Sequence, residues 1–150
     1  MIRILSTRSM HSESMKAAAD AGIMISSCNM IRTTPLVSAQ LRQSIQQGQR
    51  LVLTSVKAVE SLQLNVPGER MPPLELYCIE GKTRELALKT FPQLQLKASA
   101  QHAVELASKM AEELANTHGK VLYPCGNQRR GELPEILLAA GIEVEEIMAY

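Results

Sequence analysis

The sequence predicts an α/β fold, a doubly wound parallel sheet with helices on both faces. Three observations predict it. Short apolar runs alternate with amphipathic, helix-period runs along the whole chain. Most apolar runs end in a polar turn of Thr, Ser, Gly or Asn before the next helical run, as strands do when they feed a helix. The connections are short, which favours right-handed crossovers and neighbouring parallel strands.

The elements follow in order. Ile2 to Ser6 is a short strand, and Thr7-Arg8-Ser9 is the polar turn behind it. A helix runs from about Ser12 to Ala21 and closes at Gly22. Ile23 to Cys28 reads as the second strand, with residues 29–34 as a connector. Pro35 is suited to the first turn of the next helix, which carries Leu36, Ala39, Leu41 and Ile45 and closes at Gly48. Leu51 to Leu53 is the third strand, ending in Thr54-Ser55, and the helix behind it spans Val56 to about Leu64. Residues 65–73 hold three prolines and one glycine, so they form a loop. Leu74 to Ile79 is a strand and Lys82 to Thr90 a helix. Phe91 to Lys97 is a weak strand or loop. Ser99 is suited to cap a long helix from about Ala100 to Thr117, with Val104, Ala107, Ala111 and Leu114 as its apolar stripe. Gly119 opens a strand to Tyr123, a helix covers about 130–140 and ends at Gly141, and Ile142 to Tyr150 is the last strand.

Composition narrows the function. The 150 residues are 45% hydrophobic, enough for a packed core, yet hold one Phe, three Tyr and no Trp. A protein that stacks bases wants more aromatics, and a net charge of +1 gives no general pull on polyanions, so no nucleic-acid partner is expected. Cys28, Cys78 and Cys125 are scattered without CxxC spacing, which speaks against a metal site and for small buried thiols. His11, His102 and His118 fall at helix starts or ends and are expected on the surface. No apolar run is long enough to span a bilayer and the N-terminus lacks a signal-peptide layout, so a cytoplasmic protein without membrane association is the expectation.

The stretch Leu122-Tyr-Pro-Cys-Gly-Asn-Gln-Arg-Arg-Gly-Glu-Leu-Pro134 carries the most chemistry. An apolar strand stops in a small, polar, basic turn and feeds a helix. Such a turn presents unpaired amides and guanidinium groups at one point, an anion site in outline. Its plain alternative is an ordinary turn with solvated Arg129 and Arg130. Ligands in parallel α/β sheets sit at the carboxyl ends of the strands. That rule selects Thr7-Arg8, Thr54-Ser55, Glu80-Gly-Lys-Thr83 and Pro124-Cys-Gly-Asn127. An acidic cluster after the first strand and an aspartate after the third, needed by a phospho-acceptor receiver, are missing. So is the GxGxxG of a dinucleotide fold.

At these strand ends the chain resembles the uroporphyrinogen-III synthase family. Ile4-Leu-Ser-Thr-Arg8 is similar to the family's opening strand and Thr-Arg turn. Leu53-Thr-Ser-Val-Lys-Ala-Val59 resembles its "TS..AV" turn, and Ile79-Glu-Gly-Lys-Thr-Arg-Glu-Leu86 takes the place of its "VG..TA..L" segment. Ser99 to Leu106 resembles its next helix start. Leu122 to Pro134 is similar to its "PCGN..R..LP" stretch, and Glu143 to Tyr150 to the strand that ends in its tyrosine. These stretches stand in the family's order.

The resemblance implies a lyase of haem biosynthesis. Its substrate is hydroxymethylbilane, a linear tetrapyrrole, which loses water, inverts its last ring and closes to uroporphyrinogen III without metal or organic cofactor. It implies two α/β domains joined by a linker, with the substrate between them. Tyr150 is then the candidate catalytic group, hydrogen-bonding the departing hydroxyl. Thr7, Arg8, Thr54, Ser55, Lys57, Thr83, Ser99, Gly126 and Asn127 are the candidate substrate-binding residues. Local roles stand beside these: helix caps for Thr54, Ser55, Thr83 and Ser99, a solvated lysine at Lys57, and turn-shaping at Gly126 and Asn127. Cys125 has no patterned His partner and is expected to fill space behind its turn.

Two departures accompany the resemblance. Glu80 stands where the family has glycine, and its carboxylate opposes an anionic substrate. The family's first domain is also split, so 1–33 corresponds to its opening part and 34–150 to domain two with the linker strand. The expectation is a truncated form, weakly active or inactive alone, and prone to self-association where the family is usually monomeric. The alternative is a non-catalytic α/β module that binds a tetrapyrrole or another anion.

Overall fold

The computed structural model describes residues 2–150, which form two compact units divided between Thr34 and Pro35. Both are α/β with parallel strands.

In the first unit, β1 (Ile2–Ser6) pairs in parallel with β2 (Ile23–Ser27), from Ile2 opposite Ile23 to Ser6 opposite Ser27. The crossover is α1 (Ser12–Asp20), which ends at Gly22. Behind the strands, Asn29 binds the Ser9 amide and hydroxyl through Oδ1, at 2.6 and 3.0 Å. None of residues 2–34 is buried. Cys28, expected inside, is therefore exposed, because a two-stranded sheet has no second layer to enclose it.

The second unit holds a five-stranded sheet in the order β5-β4-β3-β6-β7, parallel throughout. Its strands are β3 (Arg50–Leu53), β4 (Glu75–Ile79), β5 (Gln95–Ala100), β6 (Val121–Cys125) and β7 (Val144–Met148). Its helices are α2 (Ala39–Gln47), α3 (Val56–Asn65), α4 (Lys82–Thr90), α5 (Ala103–Leu114) and α6 (Glu132–Ala139).

Strand alternation divides the core. Leu51 and Leu53 of β3, Leu76 and Cys78 of β4 and Leu122 of β6 pack with α2, α3 and α4. Val52, Tyr77, Val121, Tyr123 and Cys125 point the other way and pack with α5 and α6. Both faces are covered, which is why these strands read as continuous apolar runs. No helix among the described residues is long and apolar enough to cross a membrane.

Three sequence expectations need correction. Pro35 does not open α2, whose first residue is Ala39. Residues before it are held extended: the Leu36 amide donates to the Ala149 carbonyl at 2.8 Å, and Asn65 Nδ2 donates to the Leu36 carbonyl at 2.7 Å. Ser38 caps the helix instead, accepting from the Leu41 amide at 3.1 Å. Ser99 caps no helix. It lies in β5, drawn there by pairing with Cys78 of β4, and α5 begins four residues later. The last strand is also shorter, Val144–Met148, so Tyr150 lies just beyond it.

Candidate functional site

Strand numbering reverses between β3 and β6, where consecutive connections leave toward opposite sides of the sheet. A parallel sheet opens a crevice at such a switch point, outside its carboxyl ends. The β3–β6 ladder covers only Arg50–Val121 and Leu51–Leu122, whereas β6–β7 pairs over five positions. The residues that end β3 and β6 thus lie beyond their shared ladder. They are Thr54-Ser55 and Gly126-Asn127.

Tyr150 joins these two turns. Its phenol oxygen lies 2.6 Å from Ser55 Oγ, and its carbonyl accepts from the Asn127 amide at 3.1 Å. Ser55 also caps α3, accepting from the Ala58 amide at 3.1 Å. The candidate binding residue and the helix cap are therefore the same serine. Gly126 lies against the Tyr150 ring, where an added Cβ would come within 2.8 Å of Cε2. The glycine serves close approach, since its backbone has no left-handed φ. The Asn127 amide is already engaged by Tyr150, so it acts here as a tie between turn and linker.

The Tyr150 segment is fixed from behind. The Ser61 hydroxyl, buried in α3, donates to the Ala149 carbonyl at 2.7 Å. The Ala149 amide donates to the Cys125 carbonyl at 2.8 Å. Asn65 binds the Ser38 amide through Oδ1 at 2.7 Å and the Ser61 carbonyl through Nδ2 at 2.8 Å.

A second hydroxyl pair stands beside the first. Thr54 Oγ1 lies 3.2 Å from Tyr123 Oη. Burial pushes the Tyr123 phenol up, against a smaller lowering by the Thr54 hydroxyl, so it stays protonated at neutral pH.

Thr83, Thr54 and Asn127 follow the neighbouring strands β4, β3 and β6, and so share the carboxyl edge. Thr83 is buried in the first turn of α4. Gly81, not Thr83, is the cap residue there, with φ 76°. That left-handed turn falls to Gly81 because its neighbour is Glu80. Glu80 Oε1 accepts from Ser99 Oγ at 3.4 Å, and Ser99 Oγ accepts from Arg84 Nη1 at 3.3 Å. Ser99 therefore links a carboxylate to a guanidinium on the β4–β5 side of the edge.

Other candidates stand apart. Lys57 pairs with Glu60 at 2.6 Å on its own helix. Thr7 and Arg8 follow β1 in the first unit, where both are exposed and the Thr7 carbonyl accepts from the Met30 amide at 3.1 Å. Arg129 pairs with Glu146 of β7, and Arg130 is exposed. Cys125 is buried, and burial raises its thiol pKa against a lowering by Arg129, so a thiolate nucleophile is disfavoured.

Comparison with known proteins adds to this geometry. The family model described as uroporphyrinogen-III synthase HemD matches residues 12–150. The chain belongs to the uroporphyrinogen-III synthase family. Among solved structures it is similar to Thermus thermophilus uroporphyrinogen III synthase, at 16% identity and a TM-score of 0.55, over 100% of this chain and 62% of that one. A second, native crystal form of the wild-type enzyme from the same extremely thermophilic bacterium gives 17% identity and a TM-score of 0.59, over 100% of this chain and 61% of that one. At such identities the likeness speaks for the fold, and the chain spans less than two thirds of those structures' length. No curated protein matches the chain.

Within the uroporphyrinogen-III synthase frame, Leu53–Val59, Ile79–Leu86 and Leu122–Pro134 end or follow three adjacent strands. Sequence reasoning missed Tyr123, Ser61 and Asn65. Tyr123 reads as a core strand residue, and only its distance to Thr54 shows a polar partner. Ser61 and Asn65 lie on the helix after Thr54-Ser55 at i and i+4, a spacing that marks one face but no partner.

Proposed function

We propose that this chain takes part in the uroporphyrinogen-III synthase reaction, the dehydrating cyclisation of hydroxymethylbilane in haem biosynthesis. The observation that carries the proposal is the Ser55–Tyr150 hydroxyl pair, set against Gly126 at the switch point of a sheet in this family. The bilane's hydroxymethyl C–O bond breaks as the pyrrole nitrogen supplies electrons, and the N–H proton leaves with the oxygen as water. Little acid help is needed. A hydrogen bond from Tyr150 to the departing oxygen assists it without being obligatory.

The larger task is to hold a flexible polyanion in the conformation that favours ring inversion. Hydroxyls and amides at Thr54, Thr83 and Gly126, with the Asn127 side chain, suit carboxylates without locking them into strong ion pairs, while Ser55 orients Tyr150. In this reading Thr7 and Arg8 are also substrate-binding residues, and Ser99 acts through Arg84.

We further propose that the chain turns over bilane weakly by itself and associates with itself. The first unit buries none of residues 2–34 and leaves β1 and β2 each with one free edge in its own sheet. Parallel sheets need both faces covered. A second reading, a tetrapyrrole-binding module without turnover, is favoured by one observation: Glu80 sets a carboxylate at the β4 end.

The test is an assay with freshly made hydroxymethylbilane, scoring isomer III against the isomer I that forms spontaneously. Isomer III above the uncatalysed background, reduced but not abolished by Tyr150→Phe with Ser55→Ala, supports the enzyme. Isomer I alone, with the tetrapyrrole bound, supports the binding module.

A further inference from the structure

Tyr123 has no part in the reaction as described so far, and its surroundings suggest one. β6 sends Val121, Tyr123 and Cys125 into the layer beneath α5 and α6. The Tyr123 residue is 4% exposed, so its ring is set in packed core while its oxygen reaches Thr54 at 3.2 Å. Thr54 is the hydrogen-bond partner of that phenol among the described residues.

Direction matters here. A phenol oxygen shares its lone pair with the ring, so it donates better than it accepts. With Tyr123 donating, Thr54 Oγ1 becomes the acceptor and its own hydrogen is left for an acceptor outside the sheet. A carboxylate is acceptor only. The neighbouring Ser55 differs, because its oxygen already accepts from the Ala58 amide and its hydroxyl is engaged with Tyr150. Thr54 makes no capping contact, so its hydroxyl is the freer of the two.

We infer that Tyr123 is a positioning residue that commits the Thr54 hydroxyl to donating a hydrogen bond to a carboxylate of the tetrapyrrole. The inference rests on the function proposed above. It adds a second tyrosine to the edge, acting through threonine and never touching the ligand.

The test titrates the full chain with uroporphyrin III, the stable oxidised macrocycle with the same carboxylates, and follows its fluorescence. Tyr123→Phe and Thr54→Val each weaken binding about three- to tenfold, the worth of one neutral hydrogen bond. The double variant binds no worse than Thr54→Val, a coupling that a general packing role of Tyr123 would not produce. Thr54→Ser keeps the hydroxyl and keeps the sensitivity to Tyr123→Phe. In the unmutated chain, the Thr54 amide and Tyr123 ring resonances both shift on adding uroporphyrin, which tests the idea even where a variant folds poorly.

Wild-type-like binding by Tyr123→Phe, an additive loss in the double variant, or unmoved resonances overturn the inference alone. Failure of the unmutated chain to bind uroporphyrin overturns both it and the function it rests on.

Discussion

The Tyr150 phenol oxygen lies 2.6 Å from the Ser55 hydroxyl, across 95 residues of sequence. The bond joins the residue just past the last strand to the cap of α3, across the switch point of the sheet. Tyr150→Phe removes it while leaving Ser55 free to cap. The expected cost is about 1 kcal/mol of folding stability, measured by urea unfolding. If Tyr150 assists departure of the hydroxyl, formation of isomer III falls about tenfold, or roughly 1.4 kcal/mol of barrier, rather than vanishing.

Gly126→Ala tests close approach at the same tyrosine. The new methyl would stand 2.8 Å from Tyr150 Cε2 and 3.2 Å from Cδ2. A rigid ring cannot yield as a flexible chain can, so ring or turn must move. The expected loss is about 1–3 kcal/mol in urea unfolding, together with weaker uroporphyrin binding. Gly81→Ala also costs stability, for a different reason: space is open around it, but its φ of 76° strains any residue with a Cβ.

Asn65→Ala should be among the more damaging polar changes. Its side chain serves the Ser38 amide and the carbonyls of Leu36 and Ser61, and it is 4% exposed. Removal leaves the Ser38 amide and the Leu36 carbonyl, both in part-buried bonds, without this partner beside the Tyr150 segment. A loss of about 2–3 kcal/mol is expected in urea unfolding.

Much of this arrangement was legible in the sequence, and the failures have physical causes. The alternation of strand and helix follows from apolar period, which both sheet faces obey, so the α/β class and most elements are readable. Ser99 misled because serine before a helical run suits a cap. The competing force was ladder pairing with Cys78, which depends on a strand distant in sequence. Pro35 misled likewise, since the Leu36 amide is claimed by Ala149 at the far end of the chain. Thr54, Ser55 and Asn127 were legible as strand-end residues, because polar turn types mark where strands stop. Tyr123 was not, because a buried tyrosine in a strand carries no local sign of its partner.

Acid should weaken one link between the sheet and α2. Lys120 and the Ser44 hydroxyl both hold the Glu145 carboxylate, and they lower its pKa from the ordinary 4.5, Lys120 most. A carboxyl depressed in the folded state stabilises fully above its unfolded value, and that contribution drains as pH falls through the folded value. The window therefore lies below about pH 4.5. Glu145→Gln is expected to flatten the acid limb of a urea midpoint-against-pH curve, with little change in slope at neutral pH.

Glu80 should act against anions at the β4 end. Glu80→Gln keeps an acceptor for the Ser99 hydroxyl and removes the charge. Uroporphyrin binding is expected to tighten about two- to fivefold at low salt, and the gain should shrink at high salt as the charge is screened. An unchanged affinity would mean that this carboxylate faces away from the ligand.

On this reading a tetrapyrrole is held by the turns at the carboxyl edge of the five-stranded sheet. The most direct measurement is an amide-resolved NMR titration of the 16.5 kDa chain with uroporphyrin III. Saturable shifts are expected, centred on Thr54, Ser55, Thr83, Gly126, Asn127 and Tyr150. Shifts confined to the opposite edge, near Arg50, Glu75 and Val121, or no saturable shifts at all, would contradict this reading.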